Sequence, residues 1–213
     1  MVGTPEHLMA ALRGAGITDA WVELDGEELP ALDGASLAWW ELLRGAGREG
    51  GPPLERVERT GSVRVGDGEL VLLPLQQGER PTVAVEVDFP RGPFGRAVWD
   101  GTPEGFRRDV AWARTFVLED EVAALRASGR GKGATAENTR VVPRRRSSEG
   151  VAREAVRHKL LDAIGDVALL PGLAAHVVVR RGSHRVHVEG LRQLAAQRPT
   201  AAPGLPPRGE GPQ

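Results

Sequence analysis

Residues 157–166, Arg-His-Lys-Leu-Leu-Asp-Ala-Ile-Gly-Asp, constrain the chain more than any other stretch. Nothing in them breaks a helix, and the apolar residues recur at helical spacing. His158 and Asp162 are four apart, so they share a face, and Asp166 extends the row by another turn. Two readings of that row stay open. A His and an Asp at this spacing commonly form a solvated surface pair. The same two side chains can also supply two ligands to a zinc ion.

Composition narrows the chemistry. The 213 residues carry a formal net charge of −1, which gives no electrostatic reason to expect nucleic acid or a membrane surface as partner. There is no cysteine, so disulfides, thiolate catalysis and Cys-based zinc sites are excluded, and any metal must be held by His and carboxylates. No apolar run reaches the length of a transmembrane helix, and the first residues lack a signal pattern. The expectation is a soluble, cytoplasmic, monomeric protein with no stable membrane insertion. Of the 28 basic residues only Lys132 and Lys159 are lysine, so a surviving lysine points to a site where a compact ammonium is needed. Lys159 adjoins His158.

The periodicity alternates between strands and helices. Thr4 and Pro5 predict a helix start, with Thr4 as cap and Glu6 in the first turn. Residues 20–25 alternate as a short strand, and 36–44 read as a helix whose adjacent Trp39 and Trp40 face opposite sides, one core and one half exposed. Residues 54–87 alternate valine and leucine with polar residues, with a hairpin at Gly66-Asp67-Gly68. A further strand follows at 94–99, then helices at 102–113 and 119–128, a short strand at 138–142, and the long helix at 149–164. A valine-rich strand at 174–180 and a last helix through 196 complete the pattern. The tail from 198 is rich in proline and glycine. This predicts an α+β chain of two layered units, divided as 1–78 and 79–197, with a disordered tail at 198–213.

Several separated segments resemble one family, in its order: Glu6-His7-Leu8, Pro30-Ala31-Leu32-Asp33-Gly34, Ala113-Arg114-Thr115-Phe116, His158-Lys159-Leu160-Leu161-Asp162-Ala163-Ile164-Gly165-Asp166 and Ser183-His184. That family is the zinc-dependent UDP-3-O-acyl-N-acetylglucosamine deacetylases of lipid A biosynthesis. The resemblance implies two α/β sandwich units with the active site between them. It implies Zn2+ held by His7, His158 and Asp162, with Glu6 as general base. It implies His184 as the acid, oriented by Asp166, and Thr115 as donor to the oxyanion. Lys159 and Phe116 would contact the substrate, UDP-3-O-acyl-N-acetylglucosamine, and the products would be UDP-3-O-acyl-glucosamine and acetate. Residues 171–179 would suit an acyl channel. Ser183 stands where the family has glycine, and His176 and His187 match none of its motifs. Members of the family carry a strand-rich segment before the Glu-His-Leu helix, so the first unit is expected to be incomplete. Two further readings follow: a truncated, non-catalytic relative acting as a binding protein or persisting as a fragment, or a zinc hydrolase with a different substrate.

Overall fold

A computed structural model describes residues 3–46, 49–51, 54–90, 92–129, 131–144, 147–170 and 172–196. In chain order the elements are α1 (Glu6–Gly14), α2 (Leu37–Leu43), β1 (Glu55–Arg56), β2 (Gly61–Val65), β3 (Gly68–Leu73), β4 (Val83–Asp88), β5 (Phe94–Trp99) and α3 (Pro103–Asp109). They continue with β6 (Thr115–Leu118), a 3₁₀ turn (Glu119–Glu121), α4 (Val122–Ala127), β7 (Thr139–Val142), α5 (Glu149–Ala168), β8 (Leu173–Ala174), β9 (His176–Arg180) and α6 (His184–Ala196). The α+β class expected from the periodicity is the class observed.

The alternating segments make one five-stranded sheet in the order β2-β3-β9-β4-β5, antiparallel except for the β4–β9 pair. Side chains in a strand alternate between faces. Val63, Val65, Leu70, Leu72, Val83, Val85, Val87, Ala97, Trp99, Val177 and Val179 accordingly all belong to the core, while Glu69, Glu86 and Arg96 turn to the other face and pair there. The apolar face is covered by α5, which packs on β4 and β5, and by α6, which packs on β2 and β3. On its far side α5 meets α1, which in turn meets α2. Helix α5 is therefore enclosed from both sides, and its buried residues between Glu154 and Val167 run round its whole circumference. Leu160, Leu161 and Ile164 are fully buried there, each worth about 1.5–3 kcal/mol of burial.

Several expectations change in the structure. The division at 78/79 falls between β3 and β4, yet β3 and β4 both pair with β9, so one sheet spans it. Residues 20–25 form no strand: they have no partner strand among the described residues, and Trp21, Val22 and Leu24 are exposed. Thr4 does not cap α1. It takes a left-handed φ of 49° and its hydroxyl donates to Glu28, because Gly3 is tied to the loop at 27–29 by backbone hydrogen bonds and the chain must turn before the helix. Trp39 and Trp40 are both half-buried, Trp39 against Leu8, Leu12 and Leu29 and Trp40 against the main core. Residues 172–179 lie in β8, β9 and the core beneath α5, not along the site cleft, because a central strand of the sheet is buried on the helix side. The expected tail at 198–213 lies outside the described residues.

Helices α1 and α5 approach closely at Gly165. A Cβ there would overlap the carbonyl of Glu6 on α1. Glycine at this position lets two helix backbones touch, which brings the first turn of α1 against the middle of α5. Gly165→Ala must push α1 away and should cost about 1–3 kcal/mol, the usual penalty for overpacking. Equilibrium urea unfolding of the variant beside the parent checks this, and an unchanged midpoint would contradict the close contact.

Candidate metal centre and catalytic site

The site is assembled where the first turn of α1, the start of β6, the middle of α5 and the start of α6 converge. Glu6, His7, Thr115, Phe116, His158, Lys159, Asp162 and His184 line one cleft of about 290 Å3, joined by Phe89, Leu118 and Glu121. Asp166 lies behind His184 rather than in the cleft wall. All nine residues singled out in the sequence thus gather in one place. A larger hollow of about 940 Å3, beside Met9, Leu12, Trp21 and Trp99, contains none of them.

Backbone carbonyls brace both candidate ligand histidines, His158 at its ring and His7 at its main chain. Helix α3 ends at Asp109, short of the expected 113, and the released segment 110–113 provides the carbonyls. Ala113 O accepts from His158 Nδ1 at 3.0 Å. A carbonyl can only accept, so Nδ1 carries the proton and Nε2 is left as a lone pair. Ala111 O accepts from the Ser36 amide at 3.0 Å, and the buried Ser36 hydroxyl donates to His7 O at 2.7 Å. The Asp33-Gly34 pair anchors the same corner. The Asp33 carboxylate accepts from the amides of Ala35 and Ala38 at the start of α2. Gly34 O accepts from both the amide and the hydroxyl of Thr115, at 2.7 and 3.1 Å. Gly34 has φ +74°, and a Cβ would overlap Asn138 O, so both its conformation and its space require glycine.

His7, His158 and Asp162 present one ligand-type atom each, all within 4.8 Å of one another. His158 Nε2 lies 3.3 Å from Asp162 Oδ1, and the rings of His7 and His158 meet edge to face at 5.2 Å. The electrostatics suit a cation. Burial pushes the His158 imidazole below its ordinary pKa, with Asp162 opposing. Burial and the neighbouring His158 do the same to His7. Burial would raise the Asp162 carboxyl, but the Lys159 ammonium at 2.7 Å, with His158 and His184, holds it far below the usual carboxylate range. Two neutral imidazoles and one carboxylate are the protonation states that a divalent metal requires of its ligands. The hydrogen bond from His158 Nδ1 to Ala113 O is the outer-shell contact that fixes the ligating nitrogen. The row along 157–166, which sequence alone left open between a solvated pair and a ligand pair, is buried.

A second cluster lies one turn further along α5. Asp166 Oδ2 accepts from His184 Nδ1 at 2.8 Å and from His187 Nδ1 at 2.7 Å. The hydrogen bond to Asp166 raises the His184 imidazole to about 9 against burial, with the Asp162 and Asp166 charges adding to it. Burial would raise Asp166, but the bonds from His184 and His187 bring its carboxyl down. His184 is half exposed and faces the cleft, so it is an imidazolium able to donate a proton there. Ser183 accepts from the Val186 amide through its hydroxyl, which makes it the N-cap of α6. Fully buried His187 was passed over in the sequence; its one signal was the three-residue spacing from His184, which places both rings on one face of α6.

Because His184 gains its partner on folding, its contribution to stability is complete below about pH 6.5, the ordinary imidazole value, and is lost as the pH rises through about 9. Asp166→Asn should bring the His184 titration back toward the ordinary value. NMR titration of the His184 ring checks both, and a midpoint unmoved by the substitution would contradict the assigned cause.

Comparison with known proteins gives one consistent family. Residues 1–196 match the family model described as LpxC: UDP-3-O-acyl N-acetylglycosamine deacetylase. A UDP-3-O-acyl-N-acetylglucosamine deacetylase of Thermosynechococcus vestitus is 35% identical over 209 residues, covering 92% of this chain and 70% of that protein. Proteins of the same name from Acidithiobacillus ferrooxidans and Phenylobacterium zucineum are 37% and 40% identical, covering 91% and 92% of this chain and 66% and 69% of their own lengths.

Proposed function

The chain belongs to the LpxC family of UDP-3-O-acyl N-acetylglycosamine deacetylases, and from that premise we propose that it removes the acetyl group of UDP-3-O-acyl-N-acetylglucosamine. The products are UDP-3-O-acyl-glucosamine and acetate, in a zinc-dependent step of cytoplasmic lipid A biosynthesis. The observation that carries this reading is the convergence of His7 from α1 with His158 and Asp162 from α5, beside Glu6 and facing His184.

His7, His158 and Asp162 would hold the zinc ion, whose chemistry there is Lewis-acid polarisation of the amide carbonyl and acidification of a water. The remaining steps belong to the protein's own side chains. Glu6 precedes a ligand directly and lines the same cleft, so its carboxylate is the base that takes the proton from the attacking water. His184, charged at neutral pH by its bond to Asp166, gives a proton to the departing amine nitrogen. Thr115 Oγ1 donates to Gly34 O, so serving an oxyanion requires its hydroxyl to rotate into the cleft. Lys159 neutralises Asp162 and lies at the cleft wall, where its ammonium is available to a polar group of the substrate. Phe89, Phe116 and Leu118 provide the apolar side of the cleft, suited to the start of an acyl chain.

The purified chain should bind a single zinc ion, and His7→Ala or Asp162→Ala should abolish that binding. Glu6→Gln should keep the metal but release acetate about 10²–10⁴ times more slowly, the range for loss of a general base. Metal analysis with an acetate-release assay on the UDP-sugar separates the two effects. A zinc-loaded chain that releases no acetate would favour the non-catalytic reading instead.

A further inference from the structure

His187 matches no motif and has no place in the chemistry above, yet it is a fully enclosed polar side chain beside the site. It is fully buried on the first turn of α6, three residues after His184. Its amide donates to Ser183 O at 2.9 Å, and its ring meets that of His184 edge to face at 6.3 Å. The hydrogen-bond network fixes its tautomer. Nδ1 lies 2.7 Å from Asp166 Oδ2, whereas Nε2 has no hydrogen-bond partner among the described residues. Nε2 is walled in by Gly182, where a Cβ would collide with it. An ionised carboxylate can only accept, so a ring nitrogen 2.7 Å from it must carry the proton. The proton therefore sits on Nδ1 and is given to Asp166.

We propose that His187 is a positioning residue for His184: its buried Nδ1–H pins Asp166 Oδ2, so that one carboxylate oxygen of fixed direction orients the half-exposed acid histidine. The inference rests on the proposed deacetylase reading for its kinetic part. Its physical basis is a difference in rigidity. His184 is half exposed, and an Asp held only by that ring would turn with it. Oδ2 instead accepts from two rings at once, at 2.8 and 2.7 Å, and the second ring is packed on every side. The His187 donor supplies direction without competing for the cleft, which it does not line. This is outer-shell support of a reacting group, as seen for ligands and general acids elsewhere.

The test uses the zinc-loaded full chain. An asparagine amide can occupy the place of an imidazole Nδ1–H, whereas leucine fills similar space with no donor. His187→Leu should lower kcat about 10- to 100-fold, the range for outer-shell partners, with KM and zinc content unchanged, and His187→Asn should recover most of that loss. Equal kcat losses in the two variants, or a loss tracked by falling zinc content or thermal stability, would overturn the positioning role. Independently of activity, long-range 1H–15N correlation spectra of the parent should show His187 protonated at Nδ1 and bare at Nε2. The opposite tautomer would overturn the inference even in an active enzyme. A parent that releases no acetate but shows the expected tautomer leaves the Asp166 anchor standing and removes the deacetylase reading alone.

Discussion

The contact of α1 with α5 at Gly165 sets the geometry on which everything else depends. Two of the three candidate ligands, His158 and Asp162, are fixed relative to each other by one helix. The third, His7, reaches them only because no Cβ separates Glu6 O from α5. The carbonyls of segment 110–113 then brace this corner: Ala113 O accepts from the His158 ring, and Ala111 O holds Ser36, whose hydroxyl donates to the backbone carbonyl of His7. A shift of α1 by the width of one methyl group would separate the donors while leaving each helix intact. The sheet contributes indirectly, by presenting a flat apolar face on which α5 lies and by leaving the far side of α5 free for α1.

The buried row on α5 divides its electrostatic work between two neighbouring clusters. Around His158 and Asp162, burial favours neutral imidazoles while Lys159 keeps the carboxylate charged. One turn further, Asp166 stabilises a charged His184 that faces the cleft. Identical residue types thus serve opposite needs, because one imidazole donates to a carbonyl and the other to a carboxylate. The distinction rests on partners a few ångströms away and not on the histidines themselves.

Much of this was legible beforehand. The sheet followed from alternation of valine and leucine with polar residues across 54–87, and the long helix, expected at 149–164, from helical spacing with no breaker at 157–166; in the structure it runs on to Ala168. The nine residues singled out through motifs lie together around one cleft. The failures have local causes. Thr4 has the chemistry of an N-cap, but the bridge from Gly3 to the loop at 27–29 turns its backbone left-handed. Residues 20–25 alternate like a strand but find no strand to pair with among the described residues. A division at 78/79 looked natural in a chain read linearly, whereas β9 enters between β3 and β4 and joins both halves in one sheet. His187 was set aside because it matches no motif; the acceptor it shares with His184, Asp166, lies far away in sequence.

By itself the sequence determined the types of most elements, though not of residues 20–25, together with the absence of thiol chemistry and the placing of His158 and Asp162 on one helical face, since these follow from composition or from spacing within a single element. Only the tertiary structure decided that this face is buried rather than solvated, that His7 meets it, and that Asp166 serves two histidines. Those outcomes depend on distances between elements, and such distances are set by packing at Gly165 and Gly34, where what matters is the space a missing side chain leaves.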